Sequence, residues 1–454
     1  MNKLTQIRNI YFIGIGGIGM SALARYFVSK GVRVSGYDRT ETPLTAALEK
    51  EGIAIHYTEN LDLAPKEVDV VVYTPAIPAQ HAELVFYRNN GYTVVKRSDI
   101  LQWITENAFN ICVAGTHGKT TVTSMIAHIL RDSEYGCNAF LGGIAANYNT
   151  NFWSHDRNVV VVEADEYDRS FLKLFPDIAV ITSMDPDHLD IYGTAAEVEN
   201  AFVQFSQKLK PGGCLVTKLG LTRENELQAA HHYTYDHRNP AADVSVSNLE
   251  VNNGSYHFSI MGKGWQLDRM VLHMGGLHNI DNILAAVTVA KHIGIEDDKI
   301  RAAVESFKGV RRRFEYALKT EQHVLIDDYA HHPEELNALI SGVRSIFPGE
   351  KLTLVFQPHL FSRTKDQADG FAESLSKADE VLLLPIYPAR ELPVEGVTSD
   401  LLLHKMKLDN KRVIGKNALL EWMEEHQPRL VVMAGAGDID AIVPKVKIIL
   451  EKIL

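Results

Sequence analysis

Twice in this chain a short apolar run ends in glycines and passes at once into a segment of helical period, and that arrangement allows few folds. The first run, residues 10–15, leads through Gly14-x-Gly16-x-x-Gly19 into a helical segment over residues 19–30. The second, residues 111–114, leads through Gly115-Thr116-His117-Gly118-Lys119-Thr120-Thr121 into a helical segment that includes residues 122–130. A strand feeding a helix through a tight glycine turn is the repeating unit of a parallel sheet with crossover helices.

The alternation continues for most of the length. Residues 32–36 and 68–73 read as further strands of a first unit, residues 159–162 and 178–182 as strands of a second, and residues 324–326, 352–356, 380–386 and 430–433 as strands of a third. Residues 241–274 break the pattern. Apolar positions alternate there (Val244, Val246, Leu249, Val251) around Asn252-Asn253-Gly254, the mark of a small antiparallel insert. The expected class is therefore α/β with three domains: an N-terminal Rossmann-like domain (1–106), a central P-loop ATPase-type parallel sheet with a small antiparallel insert (107–318), and a C-terminal Rossmann-like domain (319–454). A length of 454 residues suits three domains of roughly 150 each.

Composition excludes several classes. With 57 acidic against 46 basic side chains the net charge is -11, the wrong sign for a general nucleic-acid or anionic-membrane binder. Cys112, Cys137 and Cys214 are an odd set without a CxxC spacing, which predicts reduced thiols in a cytoplasmic protein. The chain has no apolar stretch long enough for a membrane span, and the glycines inside residues 10–19 spoil a signal-peptide helix.

The glycine loops carry the chemistry. In the first, Gly14, Gly16, Gly17 and Gly19 let backbone N–H groups approach a diphosphate at a helix start, with Met20 and Ser21 next along the chain and Asp38 about twenty residues on. Alone, this reads as a nicotinamide dinucleotide site, a site for another nucleotide, or a structural glycine turn. In the second, a nest of N–H donors from Gly115, Thr116, His117 and Gly118 precedes Lys119, an ammonium for β- and γ-phosphates, and Thr120, a hydroxyl for Mg²⁺, with Thr121 completing the nucleotide-binding stretch. It departs from the usual GxxxxGK[ST] because Val113 holds the first position. A phosphate-binding loop of this kind fits a dehydrogenase poorly, so the pair implies two nucleotide-like ligands.

Carboxylates follow the strand at residues 159–162: Glu163-Ala164-Asp165-Glu166-Tyr167-Asp168. At the carboxyl end of a buried strand beside a phosphate loop they are placed to hold Mg²⁺. Asp185-Pro186-Asp187-His188 follows the next strand and makes His188 a second metal-ligand candidate. Gly276-Leu277-His278-Asn279-Ile280-Asp281-Asn282 opens a helix; Asn279 and Asn282 can pair with an adenine edge or simply cap the helix. Arg311-Arg312-Arg313-Phe314-Glu315, Asp327-Asp328-Tyr329-Ala330-His331-His332-Pro333 and Gln357-Pro358-His359-Leu360-Phe361-Ser362-Arg363-Thr364 lie at the second boundary and at strand ends of the third unit.

In this order the motifs, with Ala434-Gly435-Ala436-Gly437-Asp438, resemble the Mur ligase family, the ATP-dependent amide-forming enzymes of peptidoglycan synthesis, over nearly the whole chain. The resemblance is to the alanine-adding branch. It implies a ligase that uses ATP and Mg²⁺ to join L-alanine to the lactyl carboxylate of UDP-N-acetylmuramate, and it turns the first glycine loop into a UDP-sugar site. By position it implies Lys119 for the ATP phosphates, Thr120 and Glu163 for the first Mg²⁺, and His188 for the second. It implies Asn279 and Asn282 for adenine, Arg313 with Asp328 on the hinge side of ATP, and His331, His359 and Arg363 at the amino-acid and lactyl end. Later-acting members usually carry a lysine after the Asp-His motif that becomes carbamoylated; Val198-Glu199-Asn200-Ala201-Phe202 has none, which agrees with the alanine branch. The rivals are a recycling ligase that attaches a preformed tripeptide to the same sugar nucleotide, an NAD-binding oxidoreductase, and a silent nucleotide sensor. Monomer and homodimer remain open at this stage.

Overall fold

The computed structural model describes residues 3–186, 189–389 and 391–452. Its strands form three sheets. The first has the order Ala54–His56, Arg33–Tyr37, Asn9–Ile13, Val70–Tyr73, Val94–Lys96, all parallel. The chain leaves Asn9–Ile13 in one direction and later returns to its other side, so the carboxyl end of that strand is a switch point, where parallel α/β sheets open a crevice.

The second sheet runs Trp265–Leu272, Ser255–Gly262, Val244–Asn252, His231–Tyr235, Cys214–Lys218, Ile178–Ile181, Phe109–Ala114, Val159–Glu163, Asn138–Ala145, Thr150–Trp153. Its centre is parallel, and Phe109–Ala114 lies between Ile178–Ile181 and Val159–Glu163. The expected insert is the meander of three strands at one edge. Its first turn is Asn253-Gly254, both with positive φ (47° and 66°), the geometry of the two-residue turn that the sequence signalled. An antiparallel pairing of Asn138–Ala145 with Thr150–Trp153 at the other edge carried no comparable signal.

The third sheet runs Glu315–Lys319, Val324–Asp328, Leu430–Ala434, Leu352–Phe356, Glu380–Leu383, Lys411–Val413, parallel except for its first strand. Its first strand spans position 318. By compactness the chain forms two units, residues 1–247, 260–268 and 281–306 in one and residues 248–259, 269–280 and 307–454 in the other.

Burial explains why strands end where they do. In Val159–Glu163 four valines are buried and the fifth residue, half-buried Glu163, surfaces at the carboxyl edge. The helix Lys119–Asp132 is buried along most of its length, from Thr120 through Leu130, so the loop before it is held by a core element and not by a surface helix. Ala195–Ser206 is capped by Thr194, whose hydroxyl accepts from the Glu197 N–H, and it buries Val198, Ala201 and Phe202; Phe171 stacks on Phe205 at 5.0 Å. The three cysteines are free and buried. No helix among the described residues is long and apolar enough to cross a membrane.

Candidate active site

The second glycine loop is shaped by its neighbours. Gly115 has φ +138°, and a Cβ there would lie 2.0 Å from Thr182 Oγ1. Gly118 has φ +80° and forms the N-cap of Lys119–Asp132; a Cβ there would lie 2.8 Å from Asn282 Oδ1. Both positions need glycine, for conformation and for space. Two hydroxyls from the end of the adjacent strand brace the loop. The Ser183 hydroxyl accepts from the His117 N–H and bonds Thr116 Oγ1, each at 2.8 Å, and Thr182 Oγ1 donates to the Ala114 and His117 carbonyls. Sequence reading did not single out this pair, although their place after Ile178–Ile181, beside the strand that feeds the loop, was a usable signal.

Lys119 folds back over the loop, donating to the Gly115 carbonyl at 2.6 Å and to Glu166 Oε1 at 2.8 Å. Glu166 is buried, 1% exposed, and the Tyr192 hydroxyl fixes its carbonyl at 2.6 Å. A buried carboxylate this close to the lysine holds the ammonium at the loop's mouth, where an anion would meet it. Thr120 Oγ1 donates to Glu163 Oε2 at 2.9 Å. Hydroxyl and carboxylate are hard oxygen donors of the kind Mg²⁺ prefers, so this pair fits a magnesium site. Within the carboxylate run, Asp165 pairs with Arg97 at 3.1 Å and Asp168 with Lys96 at 3.0 Å, and Asp168 and Arg169 both sit in the left-handed region (φ 54°). His188 lies outside the described residues.

Asn279 and Asn282 are on the first turns of Leu277–His292, both buried. The Asn279 amide donates to the Gly275 carbonyl at 2.7 Å, and Asn282 abuts Gly118 of the second glycine loop.

At the first glycine loop, Gly14 turns with φ +88°, and the Gly16 N–H donates to Asp38 Oδ2 at 2.8 Å. Gly17 is the N-cap of Ile18–Ser29. Met20 and Ser21 are buried beneath the loop; the Ser21 hydroxyl donates to the Ile18 carbonyl at 2.9 Å and accepts from Asn151. The Thr74–Ile77 segment, past the strand on the other side of the switch point, packs on Gly14. Gly19 meets a residue that sequence reading passed over: Arg97, whose Nη1 lies 2.5 Å from where a Cβ on Gly19 would be.

In the other unit, Asp328 ends Val324–Asp328 and accepts from the Phe314 and Ala330 N–H groups at 2.7 Å each, drawing the arginine turn against the strand end. Arg312 donates to the Gly435 carbonyl, while Arg313 is exposed. Asp327 is 5% exposed with Arg312 only at 3.9 Å; burial, reinforced by Glu315, Asp328 and Asp440, pushes its pKa up to about 7. The structure brings His331, His359 and Arg363 together. The His331 and His359 rings are 6.2 Å apart, Arg363 Nη1 lies 3.3 Å from His359 Nδ1, and His359 stacks on Tyr387. Burial lowers the pKa of both histidines and the Arg363 charge lowers them further, against the opposing pull of Glu335 on His331 and Glu391 on His359.

Three family models match consecutive stretches of the chain: the Mur ligase family catalytic domain over residues 9–108, the Mur ligase middle domain over 113–290, and the Mur ligase glutamate ligase domain over 312–444. The chain is 48% identical to the UDP-N-acetylmuramate–L-alanine ligase of Cytophaga hutchinsonii, covering 99% of this chain and 98% of that one. It is 48% identical to the enzyme of the same name from Porphyromonas gingivalis, with 97% and 98% covered. Among solved structures it is similar to a UDP-N-acetylmuramate–alanine ligase of Thermotoga maritima, with a TM-score of 0.82, 28% identity, and 99% and 100% of the chains covered. A murein peptide ligase of Psychrobacter arcticus shares the fold at a TM-score of 0.66 and 21% identity, covering 98% and 99%.

Proposed function

This chain belongs to the Mur ligase family, and on that footing we propose that it joins L-alanine to the lactyl carboxylate of UDP-N-acetylmuramate, driven by ATP, in a cytoplasmic step of peptidoglycan synthesis. The observation that carries the reading is the Thr120–Glu163 contact at 2.9 Å beside Lys119, a phosphate loop and a metal-type donor pair at one sheet edge. The relatives that share nearly the whole chain bear that activity in their names.

We divide the work along the boundaries expected from sequence: residues 1–106 for the UDP-sugar, 107–318 for ATP and 319–454 for the amino acid. Residues 115–121 take the triphosphate, Asn279 and Asn282 the adenine, and Arg313 and Asp328 the far side of the nucleotide. Gly14, Gly16, Gly17 and Gly19 take the sugar diphosphate, with Met20, Ser21 and Asp38 supporting the loop. A first Mg²⁺ would be held by Thr120 and Glu163 and a second by His188; when bound they would supply charge neutralisation for phosphoryl transfer.

A carboxylate is a poor acyl donor, so a lactyl oxygen first attacks the γ-phosphorus, ADP leaves, and an acyl phosphate forms. Lys119 and Arg313 offset the repulsion between the two anions. The amine of L-alanine, once it has lost its ammonium proton, adds to the acyl carbon; collapse of the tetrahedral intermediate expels phosphate and leaves the amide. His331 and His359, whose pKa values burial lowers, are candidates to accept that proton because histidine titrates near neutrality. Release of phosphate from ATP, measured with UDP-N-acetylmuramate and either L-alanine or the tripeptide, tests the reading. Dependence on L-alanine supports it; release only with the tripeptide moves the chain to the recycling reaction, and no release with either sinks the ligase.

A further inference from the structure

The first glycine loop has no cation of its own. Residues 14–21 read Gly-Ile-Gly-Gly-Ile-Gly-Met-Ser, and the loop's Gly16 N–H already faces the Asp38 carboxylate. A diphosphate bound there needs a countercharge from elsewhere. Arg97 stands at the start of Arg97–Thr105, directly after the edge strand Val94–Lys96. Its guanidinium lies against the first turn of Ile18–Ser29, with Nη1 2.5 Å from where a Cβ on Gly19 would be, so a side chain there would displace it from this position. Gly19 thus admits an arginine as well as a backbone approach. The guanidinium has five N–H donors, and its ion-pair partner, Asp165 Oδ2 at 3.1 Å, engages Nη2. Arg97, Gly19, Glu163 and Asp165 line one cavity of about 140 Å³, so the arginine joins the sugar-nucleotide loop to the carboxylate run beside the phosphate loop.

We propose that Arg97 grips the diphosphate of the UDP-sugar by leaving Asp165, so that filling the first loop frees a carboxylate two residues from Glu163. The proposal rests on the ligase reading above. A planar guanidinium suits bidentate phosphate recognition, and a doubly charged diphosphate at the positive end of a helix outcompetes a single partly exposed carboxylate. Asp165 is then an internal competitor of the substrate, and competition predicts opposite signs for the two partners.

Binding of UDP, UDP-N-acetylglucosamine and UDP-N-acetylmuramate to the full chain, by calorimetry in magnesium-free buffer, decides it. Arg97→Met should weaken all three by about 10- to 100-fold, the range of a lost charge-assisted hydrogen bond, with Arg97→Lys recovering part. Asp165→Asn should tighten all three by about 2- to 5-fold, the range of a partly exposed ion pair. ADP affinity should hold in every variant, which marks it as folded. If Asp165→Asn weakens binding as Arg97→Met does, the pair is only a structural tie and the proposal fails. It fails equally if the loss is confined to UDP-N-acetylmuramate, which would assign Arg97 to the lactyl carboxylate, or if no affinity changes. Should Arg97→Met not fold, the sign for Asp165→Asn decides alone. A wild-type chain that binds none of the three overturns the ligase reading with it, whereas normal wild-type binding with unchanged variants overturns this inference only.

Discussion

The two glycine loops share one local shape, strand to glycine turn to helix, and differ in how they meet an anion. The second is self-contained: Lys119 and Thr120 follow Gly118 directly, and their partners Glu166 and Glu163 stand at 2.8 and 2.9 Å. The first offers backbone N–H groups and a carboxylate, Asp38, while the guanidinium that meets its Gly19 belongs to a residue 78 positions later, Arg97. A loop's backbone geometry therefore does not say whether it can hold a phosphate unaided; the source of the countercharge does.

The largest effect should come from breaking the self-contained loop. Lys119→Ala is expected to lower kcat by about a thousandfold or more, the scale of a key electrostatic group in phosphoryl transfer. It also strands the buried Glu166 carboxylate, at a cost of roughly 3–5 kcal/mol in stability. Adding Glu166→Gln should restore the melting temperature and leave kcat low; recovery of both would mean the lysine acts through folding alone.

Next come the glycines, which separate the two loops by ligand. Gly115→Ala should raise the ATP KM by about 100-fold and leave UDP affinity intact, because the new methyl collides with Thr182 at a strained φ. Gly16→Ala, whose methyl meets Thr45 and Asp38, should do the reverse. If either variant loses both ligands equally, the loops are not independent and the contrast drawn above is wrong. Smaller still, Thr120→Ala should lower kcat by about tenfold and raise the magnesium concentration needed for half-maximal activity; an unchanged magnesium dependence would remove Thr120 from the metal site.

The smallest effect extends the comparison to a second buried carboxylate. Glu166 has its lysine at 2.8 Å, whereas Asp327 has Arg312 only at 3.9 Å and is pushed up to about 7 by burial. A carboxyl whose pKa is higher folded than unfolded binds more protons in the folded state, so stability falls as pH rises between the unfolded value near 4 and about 7. The slope should be about 1.4 kcal/mol per pH unit at most, and Asp327→Asn should flatten that part of the thermal-melting profile. An identical profile in the variant would show that Asp327 is ionised throughout.

Much of the fold was legible because period and burial coincide: the valines of Val159–Glu163 and the glycine punctuation marked strands and loops without tertiary help. The Asn253-Gly254 turn announced its hairpin in the same way. The Thr150–Trp153 hairpin partner did not, since a four-residue edge strand has too few positions to show a period. Within the site, Lys119, Thr120 and Glu163 were readable from order alone. Glu166 was visible as one acid in a run, but its pairing with Lys119 was not, and neither were the Thr182 and Ser183 braces; His331, His359 and Arg363 were grouped only through the family resemblance, and the fold supplies their contacts.

The sequence by itself determined the parallel α/β units, the two glycine loops and the donor types beside the second, because these depend on neighbours a few residues apart, where backbone conformation and side-chain order act directly. Only the tertiary structure decided that Arg97 reaches Gly19, that Asp165 holds it, and that Lys119 closes on a buried Glu166. Those contacts join residues 47 to 78 positions apart: neighbouring strands of one sheet set Lys119 beside Glu166, whereas Arg97 follows an edge strand of the first sheet and Asp165 a strand of the second, so packing between the two sheets decides that pair.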